Sequence, residues 1–262
     1  LGFAGDKDPE RQDSKTKTAQ AVKDLRDACQ EFVKRKVYPK FDEAVKKRTS
    51  TEWPPIWGHR VVSITEDGSI EEGVITFMYP RTKNSVSSYI PQAVRIEFGA
   101  SSDPYPISQH GVASYAEDEF PHLFQETKNE ITVLNPERTF WEKATLVHAE
   151  YHRPEDSKTP SRHSRHYYDL FRLGQTVHAK RALKDRALLE RVVAHKSVYF
   201  RSGWANYDAA TAGSLRLTPH PSRSADFERD FEKMKLMIFG NIPTWAEVVN
   251  FLKTLEGEIN KG

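Results

Sequence analysis

The chain has 262 residues and a mass of 30.1 kDa, long enough to bury a sizeable core as one large domain or two closely packed ones. A hydrophobic fraction of 37%, 29% charged residues and a mean hydropathy of −0.69 describe a polar folded protein, with no apolar run near the roughly 20 residues needed to cross a bilayer. A net charge of +2 argues against a uniformly basic nucleic-acid binder, and a single cysteine, Cys29, excludes an internal disulfide or a cysteine zinc cluster, so the cytoplasm is the expected compartment.

The first residues, LGFAGDKDPE, form a Gly, Asp and Pro-rich loop without an initiator Met or the pattern of a signal peptide, and an upstream element is expected. From about Thr16 to Arg48, Ala21, Leu25, Cys29, Phe32, Val33, Val37, Phe41 and Val45 recur at helical spacing. This predicts one long amphipathic helix that Pro39 kinks or divides. After TEWPPIWG the period changes. Val62 and Ile64, then Ile75, Phe77 and Tyr79, alternate with polar residues around a loop containing Asp67 and Gly68, predicting two antiparallel strands.

A further strand is predicted from Ala93 to Phe98. There Val94, Ile96 and Phe98 share one face and send Arg95 and Glu97 to the other. Glu97, a carboxylate on a rigid element next to Gly99, suits a metal ligand, and equally an exposed strand residue. From Pro136 onward the pattern is helical. Asn135 can cap a helix with Pro136 at its first position, and Thr244 with Glu247 reads as a capping box before the last helix. The predicted class is α+β, a sheet in the first half and helices in the second, with units at 1–134 and 135–262.

The helix after Asn135 places Phe140, Ala144, Val147 and Tyr151 on an apolar stripe and Lys143 at its edge. From there an ammonium can reach a cleft and neutralise a triphosphate, or simply pair with Glu150 at the surface. On the next helix Arg162, Arg165, Asp169 and Arg172 fall at intervals of three and four. They predict either an aspartate that orients phosphate-gripping cations or an intrahelical ion-pair ladder. Between Arg153 and Arg186, nine Lys and Arg residues face four Asp and Glu, a local excess able to steer phosphates. A zinc site is rejected: His148 and His152 have helical spacing, but H-A-E-Y-H lacks the Glu directly after the first His, and His163 and His166 offer no ligand spacing.

The runs NPERTFWEKATLVHAEYHRP and SRHSRHYYDLFRL, with VRIEFGASSDPYP and the opening LGFAGD, resemble the AbiEii/AbiGii-type toxin nucleotidyltransferases of the DNA polymerase β-like superfamily. The likeness extends from the first residues to about Leu173, and no motif is matched beyond it. The resemblance implies a nucleotidyltransferase-like mixed sheet and metal-dependent transfer of a nucleoside monophosphate from an NTP to an acceptor hydroxyl. In such enzymes a D-x-D pair and a third carboxylate hold two Mg²⁺ ions. It carries the third carboxylate onto Glu97, the phosphate-contacting lysine onto Lys143, the late motif aspartate onto Asp169, and a supporting phosphate contact onto Arg165. It also implies the toxin of a bacterial toxin–antitoxin or abortive-infection system, with RNA, tRNA foremost, as acceptor and an antitoxin as counterpart. The glycine-rich segment and its D-x-D should precede LGFAGD. Asp6 and Asp8 lie in a loop and do not replace them, so the chain is expected to be a fragment of the enzyme. A non-catalytic RNA- or protein-binding module is the alternative.

Overall fold

The structure, a computed structural model, describes residues 8–49, 58–60, 63–64, 70–71, 73–78, 93–123 and 129–261. The chain divides into two compact units, residues 1–102 and 103–262, earlier than the boundary after residue 134 read from the sequence. Val62, Asp67, Gly68 and Tyr79 lie outside the described residues, as do Asp6 and the rest of the opening loop.

In the first unit, a helical turn over Pro9–Arg11 leads into α1 (Lys15–Phe32), and α2 (Tyr38–Thr49) continues from it through a wider π-type segment, Val33–Val37. The helix therefore passes Pro39 without dividing. Proline at this point lacks an N–H and crowds the carbonyl four residues back. The widened segment just before it, in which the Tyr38 N–H donates to the Val33 carbonyl, provides the room. Ala21, Val22, Leu25, Cys29 and Val33 are buried along the stripe, whereas Phe32, expected there, is 45% exposed.

The strands β1 (Gly58–Arg60), β2 (Ser63–Ile64), β3 (Ile70–Glu71), β4 (Val74–Met78) and β5 (Ala93–Glu97) follow. β4 lies between β1 and β5, and β2 pairs with β3. Every pairing is antiparallel among the described residues, where the resemblance implied a mixed sheet. Ile75 packs with Cys29 and Val33, and Ile96, Phe98, Val37 and Phe41 close around them. That is the expected alternation of β5, except that Val94 is 52% exposed.

The second unit opens with a hairpin that alternation did not predict, β6 (Ile107–Val112) against β7 (Asn129–Leu134), with the short α3 (Tyr115–Glu119) between. Its strands carry few buried residues, so they lack the period-2 signal. Six further helices follow: α4 (Pro136–Tyr151), α5 (Ser164–Gly174), α6 (Val177–Lys184), α7 (Arg186–Tyr199), α8 (Ser224–Met234) and α9 (Trp245–Asn260). The unit is thus helical after a small sheet, and the whole is α+β.

Helix α4 is the axis of this unit. Phe140, Trp141, Ala144 and Val147 are fully buried, and the Trp141 Nε1–H donates to the Ala182 carbonyl at 3.2 Å, fixing α6. Asn135 begins α4 with Pro136 at its first position, as expected. Its side-chain oxygen does not cap the helix but accepts from Ser108 Oγ at 2.7 Å, joining α4 to the hairpin. The predicted capping box of Thr244 and Glu247 is present at the start of α9.

Candidate nucleotide site

Helix α5 owes its position to residues far along the chain. Asp230 of α8 accepts from the Arg162 N–H at 2.7 Å and the Ser164 N–H at 2.9 Å, supplying from a distance the carboxylate that an N-terminal helix turn requires. The preceding Arg162 has φ +58°, so it turns the chain into the helix instead of standing on the face where the sequence placed it. Tyr167 and Leu170 point into the core, with the Tyr167 ring 5.1 Å from Phe227 and 5.8 Å from Trp245. At the far end a Cβ on Gly174 would come within 2.6 Å of the Phe251 ring, so α9 approaches the helix closely.

With α4 and α5 so fixed, Lys143 meets the opposite face of α5. Its Nζ donates to Asp169 Oδ2 at 2.7 Å and to His166 Nδ1 at 3.0 Å. The acceptor role of Nδ1 makes His166 a neutral imidazole protonated at Nε2. Burial, followed by the charges of Lys143 and Arg165 and the neighbouring His163, drives its pKa down to about 2. The His163 ring lies edge-on to it at 4.8 Å, and burial likewise brings His163 down to about 4. The Lys143 and Asp169 side chains are 23% and 42% exposed, so the pair is braced by the fold and still open to a ligand.

Two sequence alternatives are thereby decided. Glu150 is not the partner of Lys143: it is buried and bound by Arg153, whose Nε donates to its oxygens at 2.8 and 3.0 Å. Nor do the α5 arginines form a ladder, because Asp169 reaches across to Lys143, while Arg165 and Arg172 are exposed and hold no ion pair among the described residues. Arg165 stands on the same helix as Asp169 and adds positive potential at both histidines.

His148 is a structural residue. Its Nδ1 accepts from the Arg216 N–H and its Nε2 donates to the Asn206 carbonyl, both at 3.0 Å, so neither nitrogen is left for a metal. Burial lowers its pKa to about 4. Glu256 of α9 holds that loop in place by accepting from the Leu217 N–H at 2.6 Å.

The sequence reading missed two residues beside the pair. His166 was signalled by its spacing of three from Asp169, which puts both on one helix face. Lys196 of α7 had no such signal. Its Nζ donates to the Glu142 carbonyl at 2.8 Å, one residue from Lys143, and burial lowers its pKa to about 8.

Glu97 belongs to the first unit, on β5 opposite Val74. Its carboxylate is 67% exposed and pairs with Arg95 at 3.3 Å, on the shared face that the strand period predicts. It is one hard oxygen donor. Asp8, the described member of the D-x-D, accepts from the Glu10 N–H as a helix cap, and no group of three metal-ligating side chains converges among the described residues. These residues do not make up a two-ion Mg²⁺ site.

What they do form is an α+β scaffold presenting a lysine and aspartate pair suited to a polyphosphate. A family profile described as nucleotidyl transferase AbiEii toxin, Type IV TA system, matches residues 8–251, and the chain belongs to that family of toxin–antitoxin nucleotidyltransferases. The match runs well past Leu173 through most of the helical tail and leaves the opening LGFAGD outside it. Neither curated proteins nor solved structures give a significant match. Among the described residues no helix is long and apolar enough to cross a membrane.

Proposed function

We propose that the protein transfers a nucleoside monophosphate from an NTP to an RNA acceptor, with Lys143 holding the nucleotide's phosphates and Asp169 fixing the lysine. The acceptor hydroxyl oxygen bonds to the α-phosphorus as the α–β phosphoanhydride bond breaks, pyrophosphate leaves and the hydroxyl proton passes to water. The observation that carries this reading is the bond from Lys143 to Asp169 at 2.7 Å between α4 and α5. A lysine held at both a carboxylate and a neutral imidazole cannot swing away from an incoming phosphate, so its charge is positioned before the ligand arrives. Arg165 supports the same phosphates from the exposed side of α5. Glu97 is the metal-binding carboxylate in this reading, with Mg²⁺ as the ion the family implies.

tRNA is the favoured acceptor, and the basic stretch from Arg153 to Arg186 is the surface proposed for its backbone, since Lys158, Lys180, Arg181 and Lys184 are exposed or partly so around the α5 and α6 helices. The site of action is the cytoplasm, where an antitoxin limits the activity.

The test is incubation of the purified protein with Mg²⁺, total bacterial RNA and each α-labelled NTP in turn. Label should enter RNA with the parent protein and fail to enter with Lys143→Ala or Asp169→Asn at unchanged circular dichroism. Transfer at parental rates by either variant removes that residue from the reading. Salt-sensitive RNA binding with no transfer by any form would establish instead a binding module.

A further inference from the structure

We propose that Lys196 is a second phosphate-binding residue of the nucleotide site, reaching it from α7 alongside Lys143. The inference rests on the reading of Lys143 as a phosphate contact and adds the residue that reading lacks.

Counting donors shows the need. Lys143 has three N–H groups and commits two, to Asp169 and His166. One remains for a ligand carrying several negative oxygens. Lys196 commits a single N–H, to the Glu142 carbonyl, and no carboxylate pairs with it among the described residues. Two of its donors remain, on an ammonium anchored one residue from Lys143.

Folding alone gives no reason for a charge there. The groups that face Lys196 are Arg138, Glu142 and Lys143 of α4, and its charge also reaches His166 of α5. Arg138 and Lys143 repel it, His166 is neutral, and the Glu142 carboxylate is engaged by the Arg138 Nε at 3.0 Å. The Glu142 carbonyl lies inside α4, where the N–H of Leu146 donates to it, so it needs no lysine to be satisfied. Burial and these positive neighbours together outweigh the attraction of the Glu142 carboxylate, so the ammonium is unfavourable in the free protein. An anion between Lys143 and Lys196 relieves both, and the low pKa of Lys196 is the mark of that unmet charge. The spare donors of both lysines, with Arg165 adding positive charge, match a polyphosphate better than a single carboxylate.

The probe is inorganic tripolyphosphate, titrated calorimetrically into the full-length protein and into Lys196→Met, Lys196→Arg and Lys143→Met, each checked by circular dichroism. Lys196→Met should weaken binding at pH 7 by about tenfold or more, and Lys196→Arg by no more than about threefold, as expected for loss or retention of a charge-assisted hydrogen bond. Wild-type affinity should fall as pH rises through 8, where Lys196 loses its proton, and the fall should vanish in Lys196→Arg, which stays charged. A structural lysine would not produce that pH difference. Undiminished binding by Lys196→Met with weakened binding by Lys143→Met overturns the role of Lys196 and leaves Lys143 in place. Undiminished binding by both variants, or none by the wild type, removes the phosphate site itself and this inference with it.

Discussion

Helix α4 carries one cation and carboxylate cluster at Arg138 and another at Lys143, and they differ in what is left over. Arg138 is fully buried and donates to Asp103 at 2.7 Å, to the Tyr105 carbonyl at 3.0 Å and to Glu142 at 3.0 Å. Arg191 of α7 adds bonds of 2.6 and 2.8 Å to the same Asp103. Those bonds from Arg191, then those from Arg138, outweigh burial and hold the Asp103 carboxyl at about pKa 2. Every charge there has an internal counterpart and the cluster joins α4, α7 and the segment before the hairpin. At Lys143 one carboxylate serves a lysine that has a second lysine beside it, with the remaining partner a neutral imidazole. Charges balanced around a fully buried arginine read as structure; an unbalanced, half-open pair reads as a place for an anion.

The largest effect should come from the balanced cluster. Arg138→Met leaves Glu142 and the Tyr105 carbonyl without their donor, and should lower unfolding free energy by about 3 kcal/mol in urea melts, the scale for breaking a buried pair. A loss below about 1 kcal/mol, the scale of an exposed pair, would erase the contrast.

The unbalanced cluster should show the reverse signature. Lys143→Ala and Asp169→Asn should each reduce label transfer by about 100-fold or more, the cost of losing a preorganised charge contact. Their stability should change by only about 0–1 kcal/mol, because the pair is partly exposed. A large drop in melting temperature with normal specific activity would make the pair structural.

Acid should separate the buried histidines from the Arg138 cluster. His148 and His163 have folded pKa values lowered to about 4, so their contribution is present above the unfolded value of 6.5 and lost as pH falls from there toward 4. Each contributes about 1.4 kcal/mol per pH unit across that window. Asp103, also lowered, holds its contribution until pH falls below the ordinary value of 3.8 toward 2. Melting temperature should therefore decline first between pH 6.5 and 4; a flat profile there would show the histidines to be solvated.

The smallest effect has the opposite sign. Because the Lys196 pKa is lowered below 10.5, the lysine opposes folding at neutral pH and this opposition fades as pH rises from 8 to 10.5. Lys196→Met should raise the melting temperature by about 1–3 °C at pH 7, a modest gain of the kind seen when a strained functional group is removed. Scanning calorimetry at pH 7 and pH 10 gives the sign; a decrease at pH 7 would make the lysine a support.

Much of the scaffold was legible because its signals are local. The stripe of α1, the Thr244 and Glu247 box, and the burial of Phe140, Ala144 and Val147 all follow from spacing within a few turns. Lys143 and Asp169 were named from the family resemblance, and the structure brings them together. What escaped was non-local. Arg162 reads as the first member of a helical face, but Asp230 sets where α5 begins. The exposed strands of β6 and β7 have no apolar alternation to betray them. Lys196 is one of many lysines until α7 is laid against α4.

The Asp230 cap also sets an order of events in time. The start of α5 draws its carboxylate from α8, and its far end is seated by Phe251 of α9. A growing chain that has emerged only through Asp169 holds every residue of the lysine and aspartate pair, yet has neither the cap nor the seat that aims them. On the proposed reading, the phosphate-gripping geometry is therefore withheld until α9 has been made.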